Sequence, residues 1–167
     1  MILETERLRI IPLTIDQFRL LLCESDKWEE EMNLSPSGES WDIHTYRAME
    51  MLYKEALLHP DNYYWYTNWQ IILKSRDQSI GSACFMKEPD EKGEVEIGYG
   101  INEAFRNNGY MTEAVICMCR WALDQENVRV VMAETEATNY SSHQVLEKSG
   151  MKKIECSNDL VRWKIGK

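Results

Sequence analysis

Apolar residues recur along this chain at two spacings, every second position and every third or fourth, and the switches between them mark its elements. Arg7 to Pro12 alternates and predicts a first strand. Thr14-Ile15-Asp16-Gln17 is a capping box, in which the Thr and Gln side chains each bond the other's backbone N–H. Behind it, Ile15, Phe18, Leu21 and Leu22 give a helix one apolar face. Ser35-Pro36-Ser37-Gly38 reads as a loop. From about Asp42 to His59 the apolar positions Ile43, Tyr46, Met49, Leu52, Tyr53 and Ala56 return to helical spacing, and Pro60 ends that helix.

Tyr63 to Leu73, YYWYTNWQIIL, is dense in aromatic and branched residues and predicts a strand. Arg76-Asp77-Gln78 turns the chain into a second strand, Ile80 to Met86. Pro89 to Gly93 is a polar turn, and Val95 to Ile101 is the third strand of a meander. A helix then carries Met111, Ala114, Val115, Met118 and Ala122 on one face. A strand at Val128 to Ala133, a helix from about Asn139 to Ser149, and a strand pair near Met151–Glu155 and Leu160–Ile165 close the chain. No repeat or linker interrupts it. At 167 residues it predicts one mixed α/β domain, residues 1–167.

Between the third strand and its helix lies Arg106-Asn107-Asn108-Gly109-Tyr110-Met111. A helix that starts directly after a tight turn aims several unpaired N–H groups at one spot, and its dipole makes that spot partly positive. Such a spot binds phosphate. Gly109 allows close backbone approach, and Arg106 adds a charge. A Walker A loop would need Lys and then Ser or Thr where Tyr110-Met111 stand. A dinucleotide fingerprint would need three glycines, and this turn has only Gly109. Asn108-Gly109 also suits a hairpin turn, but the residues that follow have helical rather than alternating periodicity.

The stretch EVEIGYGINEAFRNNGYMTEA, Glu94 to Ala114, resembles the acetyl-coenzyme A motif of the GNAT N-acetyltransferases, Arg/Gln-x-x-Gly-x-Gly/Ala. Arg106 and Gly109 match. Met111 stands where the pattern has Gly or Ala, a departure that leaves the backbone donor in place. RNNGYMTEA behind EIGYGI is similar to the RimJ/RimL-type branch, related to the enzymes that acetylate ribosomal-protein N-termini. ETERLRIIPLT resembles that branch's first strand, and ATNYSSHQVLEKSGM its late helix. The resemblance runs from about Thr5 to Trp163.

It implies a GNAT fold, with a central, mostly antiparallel sheet splayed at the cofactor site and flanked by helices. It also implies acetyl-CoA as cofactor and direct acetyl transfer to a primary amine. The pyrophosphate would rest on the turn, at Arg106, Asn107, Asn108, Gly109, Tyr110, Met111 and Thr112. The pantetheine arm would run beside Tyr99-Gly100-Ile101, where Gly100 is either a bulge or a plain strand residue. Asn139 would reach the arm, cap its helix, or do both.

Glu94 and Glu96 share one strand face, and Val95, Ile97 and Tyr99 the other. Glu96 holds the EIGY position, where a carboxylate often serves the family as base, directly or through water; the other reading is a solvated or ion-paired residue. The family's proton-donating Tyr of the late helix aligns with Leu146, which has no proton to give. Ser142, four residues earlier on the same face, is the substitute the branch suggests, and Tyr140 and Tyr110 are further hydroxyls. Trp28 and Trp41 are candidates for an acceptor wall. The aromatic run from Tyr63 lines that wall or builds the core. Cys119 as an acyl carrier lacks an evident base. The alternative to an enzyme is a non-catalytic acyl-CoA sensor, and a plausible base at Glu96 opposes it.

Charge narrows the acceptor. Asp and Glu number 28 against 19 Lys and Arg, a net charge of −9, which disfavours nucleic acid and favours cationic partners. Asp16, Glu24, Asp26, Glu29, Glu30, Glu31, Glu39 and Asp42 crowd one segment against Arg19 and Lys27. In the family that segment borders the acceptor site, so the expected acceptor is an amine near positive charge, on a protein N-terminus or a small molecule. No apolar run reaches the roughly 20 residues that cross a membrane, and MILETERLRI is no secretory signal. The expected location is cytoplasmic, as a monomer or homodimer. Five cysteines without CxxC, and His44, His59 and His143 scattered, predict neither disulfides nor a metal site.

Overall fold

Eight strands join in one sheet with a single parallel pair. The structure, a computed structural model, describes residues 1–167. The strands are β1 (Leu3–Glu4), β2 (Leu8–Pro12), β3 (Trp69–Leu73), β4 (Gln78–Phe85), β5 (Glu94–Ile101), β6 (Val130–Glu136), β7 (Lys152–Cys156) and β8 (Leu160–Gly166), in the order β1-β2-β3-β4-β5-β6-β8-β7. Only β5 and β6 run parallel. The helices are α1 (Ile15–Cys23), α2 (Ser25–Glu31), α3 (Ile43–Leu58), α4 (Tyr110–Leu123) and α5 (Tyr140–Lys148). None is long and apolar enough to cross a membrane.

Local signals set the helix ends. Thr14 and Gln17 form the capping box of α1, with bonds of 3.3 and 3.0 Å. Asp42 caps α3 through the N–H groups of His44 and Thr45. The apolar stripe of α4, Met111, Ala114, Val115, Met118 and Ala122, is buried throughout. It packs in one cluster with Val95 and Ile97 of β5 and Val131 and Ala133 of β6. Burying a side chain such as Met118 is worth on the order of 2 kcal/mol. A second cluster joins Phe18, Trp28 and Leu52 of the first three helices to Ile11, Ile72 and Cys84 of the sheet. Neighbours on β3, Ile71 and Ile72, enter different clusters, so helices cover both faces.

One expectation fails here, and one element was missed. Tyr63 does not begin a strand: Pro60–Trp65 is a 3-10 helix, and β3 starts only at Trp69. Consecutive aromatics there pack sideways rather than alternate. Trp65 meets Phe85 and Trp121 with ring centroids 5.0 Å apart, and Trp69 Nε1 donates to the Tyr64 carbonyl at 2.9 Å. Helix α2 was not foreseen, because SDKWEEE shows no apolar period; only Trp28 and Glu29 of it are buried.

The sheet divides at its centre. β5 and β6 pair only at Glu94↔Val130, Val95↔Val131 and Glu96↔Met132. Beyond Glu96, β5 stays with β4 and β6 stays with β8. A wedge opens between them, at the end of β5 that leads into the turn and α4.

Candidate active site

The turn after β5 is shaped for an anion. Asn107 and Gly109 both hold left-handed backbone, at φ 61° and 77°. Gly109 is the N-cap of α4, a place where a side chain would strain the backbone. Asn108 braces the turn from within, its Nδ2 donating to the carbonyls of Phe105 at 3.2 Å and Arg106 at 2.8 Å. The N–H groups from Asn107 to Thr112 donate to no acceptor in the protein. They form the start of a helix, where such donors and the dipole together attract phosphate oxygens.

These groups border a cavity of about 570 Å³. The turn contributes Arg106, Asn107, Gly109, Tyr110, Met111 and Thr112 to its wall. The end of β5 contributes Tyr99, Gly100 and Ile101, and α5 with its cap contributes Ser142 and Asn139. Residues far apart in sequence thus surround one space. Asn108 is behind that wall, as a brace. Met111 buries its side chain in the core, which leaves its N–H to the turn. Asn139 does cap α5, accepting from Ser142 N–H at 3.2 Å and Ser141 Oγ at 3.0 Å; its own amide N–H groups stay free for a ligand.

Sequence reasoning missed Phe105, Ser141, Gln144, Val145 and Lys148 in the same wall. A signal was present: positions 141, 144, 145 and 148 recur at helical spacing on one face of α5. Of the two readings of Gly100, the plain strand residue holds and the bulge is absent. β4 and β5 pair in unbroken register from Gly81↔Ile101 to Phe85↔Ile97. The departure of β6, not a bulge, frees this strand edge. The glycine that the geometry requires is Gly81, whose Cβ would stand 2.4 Å from the Gly100 carbonyl oxygen.

A second cavity, about 760 Å³, meets the first at Tyr99, Gly100, Ile101 and Arg106. It lies between β3–β5 and the first three helices. Its wall includes Trp28 and Trp41, and none of Tyr63 to Tyr66; Tyr64, Trp65 and Tyr66 pack in the cluster that holds α4. Its floor is polar: Ser79 Oγ donates to Gln70 Oε1 at 2.6 Å, and Gln70 Nε2 donates to Asn68 Oδ1 at 2.7 Å. Carboxylates of Glu29, Glu39, Asp42 and Glu103 stand around it against the single cation Arg106. Of the acidic segment, Glu30 and Glu31 are therefore outside the wall. Backbone bonds from Thr45, foremost, and His44 hold the Asp42 carboxyl below its usual range.

Glu96 is in neither wall. It lies half-buried on the face of β5 that carries Gly98, which does line the second cavity. Burial, then the neighbouring Glu134 carboxylate, pushes its pKa up, against the pull of Arg162 and Lys87. Ser142 lines the first cavity, and Tyr99 lines both. Tyr99 Oη donates to the Ser142 carbonyl at 3.4 Å, a long bond, and burial pushes the phenol up to about 12. Leu146 is fully buried in the core, and Tyr140 is exposed and outside both walls. Cys119 is outside both walls too, and burial pushes its thiol up to about 12, so it is no thiolate at neutral pH. No group of three or more His, Cys, Asp or Glu is placed to hold a metal ion.

Known proteins resemble this chain in sequence and in fold. Residues 7–152 match the Acetyltransferase (GNAT) domain family. YjdG, an uncharacterized N-acetyltransferase of Bacillus subtilis (strain 168), is 28% identical over 162 residues, covering 97% of this chain and 96% of its own. RimL, a ribosomal L7/L12 α-N-protein acetyltransferase solved in complex with coenzyme A, superposes with a TM-score of 0.73 at 13% identity, covering 99% of this chain and 98% of its own. A GNAT-family acetyltransferase of Bacillus anthracis superposes with a TM-score of 0.66 at 21% identity, with the same coverage. The chain belongs to the GNAT acetyltransferase family and is an N-acetyltransferase.

Proposed function

We propose that this enzyme transfers acetyl from acetyl-CoA to an α-amine that has positive charge nearby, a protein N-terminus being the favoured acceptor. The observation that carries the reading is the meeting of two cavities at Tyr99–Ile101. One is walled by unpaired amides suited to a pyrophosphate, and the other is rimmed by carboxylates suited to a cationic amine. Acetyl-CoA supplies an acyl group already activated as a thioester. In this reading Arg106 and the amides from Asn107 to Thr112 hold the phosphates. The free edge of Tyr99-Gly100-Ile101 holds the arm, and Asn139 reaches it from α5.

The acid rim attracts a cationic acceptor but also favours its protonated form, which has no lone pair for attack. An α-amine, pKa about 7.7–8.0, sheds that proton more readily than a lysine, about 10.4. Glu96 takes the proton through water, since it is one residue pair, about 6.6 Å, beyond Gly98 along the strand face. Ser142 and Tyr99 can donate a hydrogen bond to the departing sulfur. The α-N-protein activity of RimL supports the choice of an α-amine. The free cysteines fit a reducing compartment, and we assign the enzyme to the cytoplasm.

A thiol-release screen tests this, with acetyl-CoA against peptides bearing free N-termini, polyamines, aminoglycosides and amino acids. The expected result is fastest release with a peptide α-amine followed by Lys or Arg. Best release with an anionic or neutral amino acid would reject the acceptor assignment.

A further inference from the structure

Arg7 comes just before β2, yet its side chain reaches the anion turn and α4 rather than its own sheet. Its Nε donates to Glu113 Oε2 at 2.7 Å and its Nη1 to the Asn108 carbonyl at 3.0 Å. Its backbone N–H donates to Glu113 Oε1 at 3.0 Å, which also accepts the Thr5 hydroxyl at 2.5 Å. The guanidinium lies 4.5 Å over the Tyr110 ring centroid. Nη2 stands 3.5 Å from where a Cβ on Gly109 would be. One side chain thus touches Asn108 of the turn and Tyr110 and Glu113 of α4, and lies beside Gly109. It lines neither cavity, so it acts from behind the wall.

Glu113 gives this contact its purpose. It occupies the first turn of the helix whose opening amides are unpaired. An uncompensated carboxylate there would repel a phosphate bound to those amides. Burial works to raise the Glu113 pKa. The bonds from Thr5 and Arg7, together with the Arg7 charge, overcome that and hold it below its usual range. The carboxylate is therefore ionised, and Arg7 both neutralises it and anchors the turn.

We infer that Arg7 is a positioning residue for the coenzyme: it fixes the Asn107–Thr112 turn from behind and cancels the Glu113 charge. The inference rests on the proposal that the coenzyme's phosphates occupy that turn. Arg9 provides the control. Its Nη2 pairs with Asp77 Oδ1 at the same 2.7 Å, away from the turn.

Calorimetry with coenzyme A compares wild type, Arg7→Met, Arg9→Met and the double variant Arg7→Met/Glu113→Gln, with thermal melting to verify folding. Arg7→Met is expected to raise Kd about ten-fold, the scale of losing one charge-assisted hydrogen bond. Its kcat at saturating acetyl-CoA should stay within about two-fold, because Arg7 lines neither cavity. Arg9→Met should leave Kd unchanged. The double variant should bind better than Arg7→Met alone, since the uncompensated charge is gone. Should Arg7→Met fail to fold, Arg7→Lys keeps the charge without the two-pronged fork and should give an intermediate Kd. Wild-type Kd in the Arg7 variants, equal loss in Arg9→Met, or no recovery in the double variant would each overturn the inference. No binding by wild type would instead remove the cofactor site, and the inference with it.

Discussion

Gly81→Ala probes the junction of the two cavities through a single methyl group. The added Cβ would lie 2.4 Å from the Gly100 carbonyl oxygen and 2.9 Å from the Ile101 Cα, both backbone atoms with no rotamer to relieve them. The closer contact must lengthen to between 3.0 and 3.4 Å, a movement of 0.6 to 1.0 Å. Gly81 pairs with Ile101 in the ladder, so the movement pushes β5 where both cavities share it. Overpacking of this kind costs about 1–3 kcal/mol, and each kcal/mol lowers Tm by about 2–4 °C in a chain of this size. The kinetic effect should be larger, because a displacement near 1 Å at a reacting centre costs up to about 10²-fold. The assay is thiol release under steady state, with melting curves and coenzyme A calorimetry alongside. Gly100→Ala is the comparison: no atom stands within 4 Å of its Cβ, so its Tm should match wild type. A Gly81→Ala enzyme with wild-type kcat/KM would refute the claim that the end of β5 positions the reaction.

Two further outcomes follow from the charges. Glu96→Gln should lower turnover by about 10²-fold at neutral pH, the scale of a positioned base, with the loss shrinking as pH rises and the acceptor deprotonates itself; a small loss uniform in pH would make Glu96 structural. Because burial raises the folded-state pKa of Glu96, its stabilising contribution is full below the unfolded carboxyl pKa and lost as pH rises through the raised value. Glu96→Gln should therefore melt higher than wild type at neutral pH while turning over more slowly. At the acceptor rim, neutralising Glu39, Asp42 and Glu103 to amides should weaken kcat/KM for a cationic peptide and flatten its decline with salt, since screening acts over about 10 Å at 0.1 M. A salt-independent wild-type rate would reject electrostatic capture.

Periodicity exposed most of the fold because most elements are amphipathic on their own. The stripe from Met111 to Ala122 and the alternation from Val95 to Tyr99 each needed only the local sequence, and so did the Thr14–Gln17 cap. The misses have a common cause in tertiary packing. Tyr63 to Trp65 is strand-like in composition, but Phe85 and Trp121 supply an aromatic neighbourhood that a 3-10 turn fills better. Trp28 finds its pocket only once β3 and α3 are assembled, so α2 left no pattern. At the site, the anion turn was legible because its residues are contiguous. The second cavity was legible only in part: Trp28, Trp41 and acids of the N-terminal segment were in view, but Asn68 and Gln70 at β3 and Glu103 after β5 are distant from them in sequence. The Gly81 clash and the Arg7–Glu113 pair span strands and helices distant in sequence, and no spacing announces them.

The central claim is that the turn after β5 holds the phosphates of the coenzyme. Gly109→Asp tests it most directly, by setting a carboxylate and a side chain at a left-handed position among the unpaired amides. Titration calorimetry with acetyl-CoA should show saturable binding by wild type and none by a Gly109→Asp variant that still melts cooperatively. Equal binding by the two proteins would contradict the claim and move the cofactor elsewhere.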